Sequence, residues 1–259
     1  MNGIILNKVV IEVTRRCNMS CPHCLRGDAQ NIDIDLEILD KFLSNFKDCY
    51  IREVFFTGGE PTLNIEAVKR AVELVWKYNI KVQVFSIISN GKGISNRAIG
   101  IMNKIPNFTL CLSQDEYHDV LTEKDYAQLR KLKEGTIATR IVDANNMNLL
   151  AIGRARDNHI GTCIEDYKGL IFSSYKNNLV VVSPIVCTCL GDVLNDCNYS
   201  FHDDDLICEL RLCDYDDDIC DILEEESKDS VIYNLAEIEV YGSMLYKFFG
   251  FLNKKGIEI

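Results

Sequence analysis

The chain has 259 residues, 47% of them hydrophobic, which is enough for one substantial core and outside the range of intrinsic disorder. Its 39 acidic and 28 basic residues give a net charge of −11. The acids crowd at Asp203 to Asp205, Asp216 to Asp218 and Glu224 to Glu226, and such a surface argues against a nucleic-acid partner. Met1 to Val13 is interrupted by Asn2, Asn7, Lys8 and Glu12 and does not read as a signal peptide. No run approaches the roughly 20 apolar residues of a membrane span, so a cytoplasmic protein with no membrane role is expected. In a reducing compartment, the 12 cysteines point to metal binding or catalysis rather than disulfides.

In chain order, Leu6 to Val13 reads as a strand and Asp35 to Phe46 as a helix, its apolar residues Leu39, Phe42, Leu43 and Phe46 falling at helical spacing. Glu53 to Thr57 is a strand broken by Gly58-Gly59, and Ile65 to Tyr78 is a helix. Lys81 to Ile88 is a strand ended by Ser89-Asn90-Gly91, followed by a helix over Ile94 to Asn103. Phe108 to Leu112 is a strand, Leu121 to Leu132 a helix and Thr136 to Val142 a strand. This alternation predicts an α/β fold, a partial (β/α) barrel of parallel strands with its ligand site at the strands' C-terminal ends. The rhythm then changes. Asn145 to Ile152 reads as a helix leading into Gly153-Arg154, and Leu179 to Val182 with Ile185 to Leu190 as β-type. A turn at Gly191-Asp192 and a return over Val193 to Tyr199 would complete a hairpin. Asp203 to Asp218 reads as a loop and Ile238 to Leu252 as a terminal helix. The expected division is a barrel core over 1–160 and a cysteine-rich extension over 161–259 packed on it.

Cys17, Cys21 and Cys24 lie in one loop after the first strand. Three thiolates so placed can hold three irons of a cubane cluster and leave the fourth open. Structural zinc usually takes four ligands from two separated pairs, and His23, beside Cys24, is poorly placed to complete such a site. One β/α unit later comes Gly58-Gly59-Glu60-Pro61, where two glycines let backbone approach a ligand and Glu60 offers a carboxylate to a cationic amine. Ser89 and Asn90 end the third strand, and Ser113, Asp115 and His118 follow the fourth. Their hydroxyl, amide, carboxylate and imidazole groups suit hydrogen bonding to a ligand. Asp115 and His118 are the catalytic candidates; His118 is a base, an orienting donor or a helix-start residue.

Cys-x3-Cys-x2-Cys after the first strand of a β/α chain resembles the radical S-adenosylmethionine (radical SAM) superfamily, and Gly58 to Pro61 resembles that family's amine-binding motif. The resemblance spans roughly residues 5 to 155. It implies a [4Fe–4S] cluster on Cys17, Cys21 and Cys24, with S-adenosylmethionine chelated to the open iron. It also implies cofactor contacts from Gly58, Gly59, Glu60, Ser89, Asn90, Ser113 and Arg154, and an external electron donor of the flavodoxin or ferredoxin type. The implied reaction is reductive cleavage of S-adenosylmethionine to a 5′-deoxyadenosyl radical, which abstracts hydrogen from substrate.

Cys187, Cys189 and Cys197, on the expected hairpin, are similar to the SPASM/twitch-like auxiliary-cluster extension of some family members. With Cys163 they would form a second four-cysteine iron–sulfur site; buried thiols and zinc stand beside that reading. The family's Cys-x2-Cys pair is absent after Cys24. The expected substrate is a small molecule or a peptide. A chain beginning almost at its first strand leaves no room for an N-terminal leader-binding domain, so a peptide would be delivered separately. The competing readings are an iron–sulfur electron carrier, which needs no amine site, and a zinc-stabilised binding module.

Overall fold

Strand β1 (Ile4–Thr14) is the axis of the fold, pairing in parallel with β2 (Tyr50–Gly58) on one side and β7 (Asn178–Cys187) on the other. Both its edges are therefore paired, and its side chains are buried on both faces. Val9, Ile11 and Val13 join the large core that includes Leu39, Phe42 and Phe46 of the first helical segment, while Val10 packs with Tyr199, Phe201 and Ile207. The computed structural model describes residues 3–141, 149–161 and 169–234.

From β1 and β2 the sheet runs through β3 (Lys81–Ser89), β4 (Phe108–Gln114) and β5 (Ile137–Ile141), every neighbouring pair parallel. The crossovers are α1 (Leu36–Ser44), α2 (Ile65–Lys77), α3 (Asn96–Met102) and α4 (Glu123–Leu129). Side chains start three of them: Asp35 accepts from Glu37 N, Ser95 from Ala98 N, and Thr122 forms a reciprocal capping box with Asp125. From β7 the strand order is β7–β1–β2–β3–β4–β5, an open path among the described residues, and so a partial barrel.

Residues after 160 extend this same sheet. β6 (Phe172–Tyr175) runs antiparallel to β7, and β10 (Ile232–Tyr233) joins β6. A short helix, α5 (Arg154–Asp157), precedes them. The hairpin partner β8 covers only Asp192–Leu194, so Cys189 lies in the turn and Cys197 beyond the return strand, not on paired strands as expected. Asp203 to Asp218 is not a loop but α6 (Asp204–Leu210) and β9 (Arg211–Asp214), with α7 (Ile219–Lys228) following. The acidic run conceals that Asp203 caps α6 through Leu206 N and that Asp204 and Asp205 suit the positive helix N-terminus. Leu149 to Ile152 are not helical; 142–148 and the expected terminal helix at Ile238 to Leu252 lie outside the described residues.

Candidate active site

The cysteine loop is fastened at both ends. Gln30 N donates to Arg15 O and Arg15 N to Ile32 O, while Arg16 forks onto the Asp33 carboxylate at 2.9 and 2.8 Å. The backbone after β2 closes onto the same segment: Gly59 N donates to Thr14 O at 2.8 Å and Glu60 N to Arg16 O at 2.7 Å. A Cβ at Gly58 would overlap Thr14 O, and one at Gly59 would overlap Arg16 O, so both positions require glycine. Gly153 repeats this device from the far side. Its φ is 57°, it has no room for a Cβ against Leu25 O, and Arg154 N donates to Cys24 O at 3.0 Å.

Glu60 is buried and joins two strand ends. Its Oε1 accepts Thr62 N (3.0 Å), Thr62 Oγ1 (2.5 Å) and Ser89 Oγ (2.9 Å), and its Oε2 accepts Asn90 N (2.9 Å). Burial pushes its carboxyl up against these four donors. Asn90 donates to Asn18 Oδ1 at 2.9 Å and Asn18 to Lys92 O at 2.7 Å, which ties the cysteine loop to the end of β3. Asn18 drew no attention in the sequence because an isolated Asn between cysteines has no local signature.

Asp115, after β4, accepts Tyr117 N and His118 N, and His118 Nδ1 lies 2.7 Å from its Oδ1. His23 Nε2 stands 3.3 Å from Asp115 Oδ2, and its ring stacks on Tyr117 and meets His118 edge-on. His118 is not a helix-start residue, since α4 begins at Glu123 with Thr122 as its cap. His23, dismissed as a zinc ligand in the sequence, faces a carboxylate and an imidazole contributed by the β4 end. Burial, with lesser effects from His118 and Arg154, lowers its pKa against the pull of Asp115.

A cavity of about 530 Å³ at these strand ends is lined by Cys17, Cys21, Cys24, Gly58, Gly59 and Glu60. Ser89, Asn90, Ser113, Asp115 and His118 also reach it. Arg154 does not line it, but its Nη1 stands 3.5 Å from Asp28 and its buried Nε has no hydrogen-bond partner. Burial first, then the neighbouring Cys24 and Cys17, pushes the Cys21 thiol up to about 12. Cys17 is raised by burial, Glu60 and Cys24. Three thiols of one loop at the wall of one cavity are a donor set for a polycationic group, and a cubane places each thiolate on a different iron. The residues present therefore fit an iron–sulfur cluster. The cavity-lining His23, whose buried Nδ1 has no hydrogen-bond partner, fits a polar ligand beside it.

Among the C-terminal cysteines, Cys187 and Cys189 share one core cluster, while Cys197 lies at the cavity. Cys189 donates to Glu12 O at 3.1 Å, and Cys163 lies outside the described residues. Among the described residues, no group including them converges on a single metal position. The sequence also left unread a buried polar cluster beneath the loop. Glu12 accepts Arg15 Nε at 2.8 Å, Cys189 N at 3.0 Å and the Tyr199 hydroxyl. The one available signal was a carboxylate inside the otherwise apolar run Val9 to Val13 of the central strand.

The partial barrel and its three-thiolate mouth define a class. The radical SAM superfamily model matches residues 11–143, just over half of the chain, and the chain belongs to that superfamily, whose members are enzymes using a [4Fe–4S] cluster and S-adenosylmethionine. Among curated relatives, YydG of Bacillus subtilis (strain 168), assigned to peptide biosynthesis, is 31% identical over 121 residues, 43% of this chain and 37% of YydG. PqqA peptide cyclase of Bradyrhizobium diazoefficiens is 32% identical over 72 residues, covering 26% of this chain and 19% of the cyclase. The chain thus spans little more than a third of one relative and about a fifth of the other. The solved structure of anSMEcpe with bound AdoMet and a Kp18Cys peptide superposes with a TM-score of 0.57 at 17% identity, over 85% of this chain and 80% of that one. BtrN in complex with AdoMet and 2-DOIA gives 0.53 at 16% identity, over 84% and 81%. At such identities these structures speak to the fold.

Proposed function

We propose that this protein abstracts hydrogen from a peptide, using a cluster held by Cys17, Cys21 and Cys24. The observation that carries this reading is that one cavity collects the three thiols together with Glu60, Ser89, Asn90, Ser113 and His118. When bound, the cluster and S-adenosylmethionine supply one-electron sulfonium cleavage and, through it, hydrogen abstraction. The chain's own residues hold and shield. Gly58 and Gly59 bring backbone to the ligand, Glu60 fixes the ends of β2 and β3, and Arg154 offers a buried guanidinium N–H suited to a carboxylate. Asp115 orients His118, whose imidazole is the group suited to move a substrate proton. A peptide is favoured over a small metabolite because YydG and PqqA cyclase carry peptide-directed names. The extension after residue 160 forms the cavity wall through Cys197 and Asn198. An auxiliary cluster using Cys163, Cys187, Cys189 and Cys197 remains a proposal of the same kind, as do an external flavodoxin- or ferredoxin-type donor and a cytoplasmic location. Among the described residues, no helix is long and apolar enough to cross a membrane.

The test is anaerobic incubation of the cluster-loaded protein with S-adenosylmethionine, a reductant and a peptide library, reading deuterium transfer from labelled peptides into 5′-deoxyadenosine by mass spectrometry. Cofactor cleavage without transfer from any peptide, but with transfer from a small metabolite, would reverse the substrate assignment.

A further inference from the structure

On the outer surface of the barrel, away from the cavity, two cysteines from distant parts of the chain meet. Cys49 sits in the connection from α1 to β2, its backbone fixed by Cys49 N donating to Phe46 O at 3.0 Å and Lys81 N donating to Cys49 O at 2.9 Å. Cys220 is in the first turn of α7. Asn45, the C-cap of α1, docks that turn: its Oδ1 accepts Ile219 N at 3.0 Å, its backbone oxygen accepts the Cys220 thiol at 3.2 Å, and its Nδ2 donates to Tyr215 O at 3.4 Å. Both cysteines pack against the same core and both are half-buried, and the Cys220 thiol reaches the turn from Asn45 to Cys49 that carries the other. Neither lines the cavity.

We propose that Cys49 and Cys220 form a dithiol–disulfide pair that fastens the C-terminal extension to the barrel. The Asn45 contact also assigns the order of attack. Its carbonyl oxygen holds the Cys220 S–H, so Cys220 keeps its proton and Cys49 is the first nucleophile. With a low-molecular-weight disulfide RSSR as oxidant, the Cys49 thiolate attacks one sulfur, forms a mixed disulfide and expels RS⁻. The Cys220 thiolate then attacks the Cys49 sulfur and expels the second RS⁻. Two protein thiols are oxidised, RSSR is reduced to two RSH, and the two protein protons end on the released thiols. The bond would join points separated by most of the barrel, the long-loop case in which a cross-link restrains the unfolded chain most.

The test uses the cluster-loaded full chain, equilibrated anaerobically with graded ratios of oxidised to reduced glutathione, quenched by alkylation and peptide-mapped. The expected result is a single Cys49–Cys220 cross-linked peptide, appearing while visible absorbance shows the cluster retained. In Cys220→Ser, glutathione should remain trapped on Cys49. In Cys49→Ser, glutathionylation of Cys220 should be at least tenfold slower. Both cysteines alkylated singly at every ratio in the wild-type protein, or Cys220 bridged to Cys208 instead, would overturn the proposal without reference to either variant.

Discussion

Ser89 donates its hydroxyl to Glu60 Oε1 across 2.9 Å, so the end of β3 hangs on a carboxylate from the end of β2. The same carboxylate takes Asn90 N and both donors of Thr62. Glu60 therefore shapes the cavity wall. Glu60→Ala would strand buried donors, each costing about 1–3 kcal/mol, and should lower the denaturation midpoint together with cofactor affinity. Glu60→Gln keeps an acceptor for Thr62 and Ser89 but turns an N–H toward Asn90 N, so its loss should be intermediate. Denaturant melts and calorimetric S-adenosylmethionine titration of both variants check this. Unchanged stability in Glu60→Ala would refute the structural role.

The cluster prediction rests on three sulfurs at one cavity mouth. Anaerobic reconstitution should load about four irons on this site. Replacing Cys17, Cys21 and Cys24 together by Ala should abolish its visible absorbance. Iron kept by that triple variant, and lost on further changing Cys197, would reveal a second site. Stoichiometric zinc without iron in anaerobically isolated protein would sink the cubane reading.

Gly59→Ala tests the backbone closure on which the loop depends. A methyl there overlaps Arg16 O, a backbone atom that cannot rotate away, and Glu60 N donates to that oxygen. The loop must shift at its root, one residue before Cys17. Iron loading should fall severalfold and stability by roughly 1–3 kcal/mol, the usual cost of overpacking. Wild-type iron content and melting in this variant would show that the close approach is dispensable.

Much of this architecture is legible locally. The apolar periodicities of β1 to β5 and α1 to α4 announce themselves, and the motif residues fall at strand ends as the β/α rhythm requires. What is not legible depends on distance or on brevity. Tyr199 meets Glu12 from 187 residues away, and no local pattern encodes that pairing. β6 and β10, of four and two residues, are too short for a period to register. In α6 the residues that start the helix are the acids that make the segment look like loop.

Acid should weaken the barrel interior through Glu53. Burial pushes its carboxyl up, but Lys8 at 3.3 Å, the Ser86 hydroxyl and Arg52 together hold it below the ordinary value of 4.5. A carboxyl depressed on folding adds stability that is full above its unfolded pKa and is lost as pH falls through the lower folded value. Stability should thus decline below about pH 4.5, and Glu53→Gln should flatten that limb while lowering the plateau. Circular dichroism melts across pH are the measurement; an identical acid limb in the variant would exclude Glu53 as a contributor.

His118 and Asp115 carry the prediction closest to chemistry. Asp115 accepts two backbone N–H groups and lies 2.7 Å from His118 Nδ1, leaving the other ring nitrogen as the one available to a substrate. A positioned general base contributes on the order of 100-fold or more. His118→Gln should therefore cut substrate-dependent turnover by about that factor, with iron content and cofactor affinity near wild type. Asp115→Asn keeps an acceptor for Tyr117 N and His118 N, so the turn should survive while the charge that orients the imidazole is lost. Its pH–rate profile should then shift relative to wild type, which a merely structural role for Asp115 would not cause. A His118→Gln enzyme that loses thermal stability but turns over substrate with an unaltered pH profile would assign the pair to packing. In that case the proton-handling group must be sought elsewhere on the cavity wall, where His23 and Lys8 are further titratable side chains.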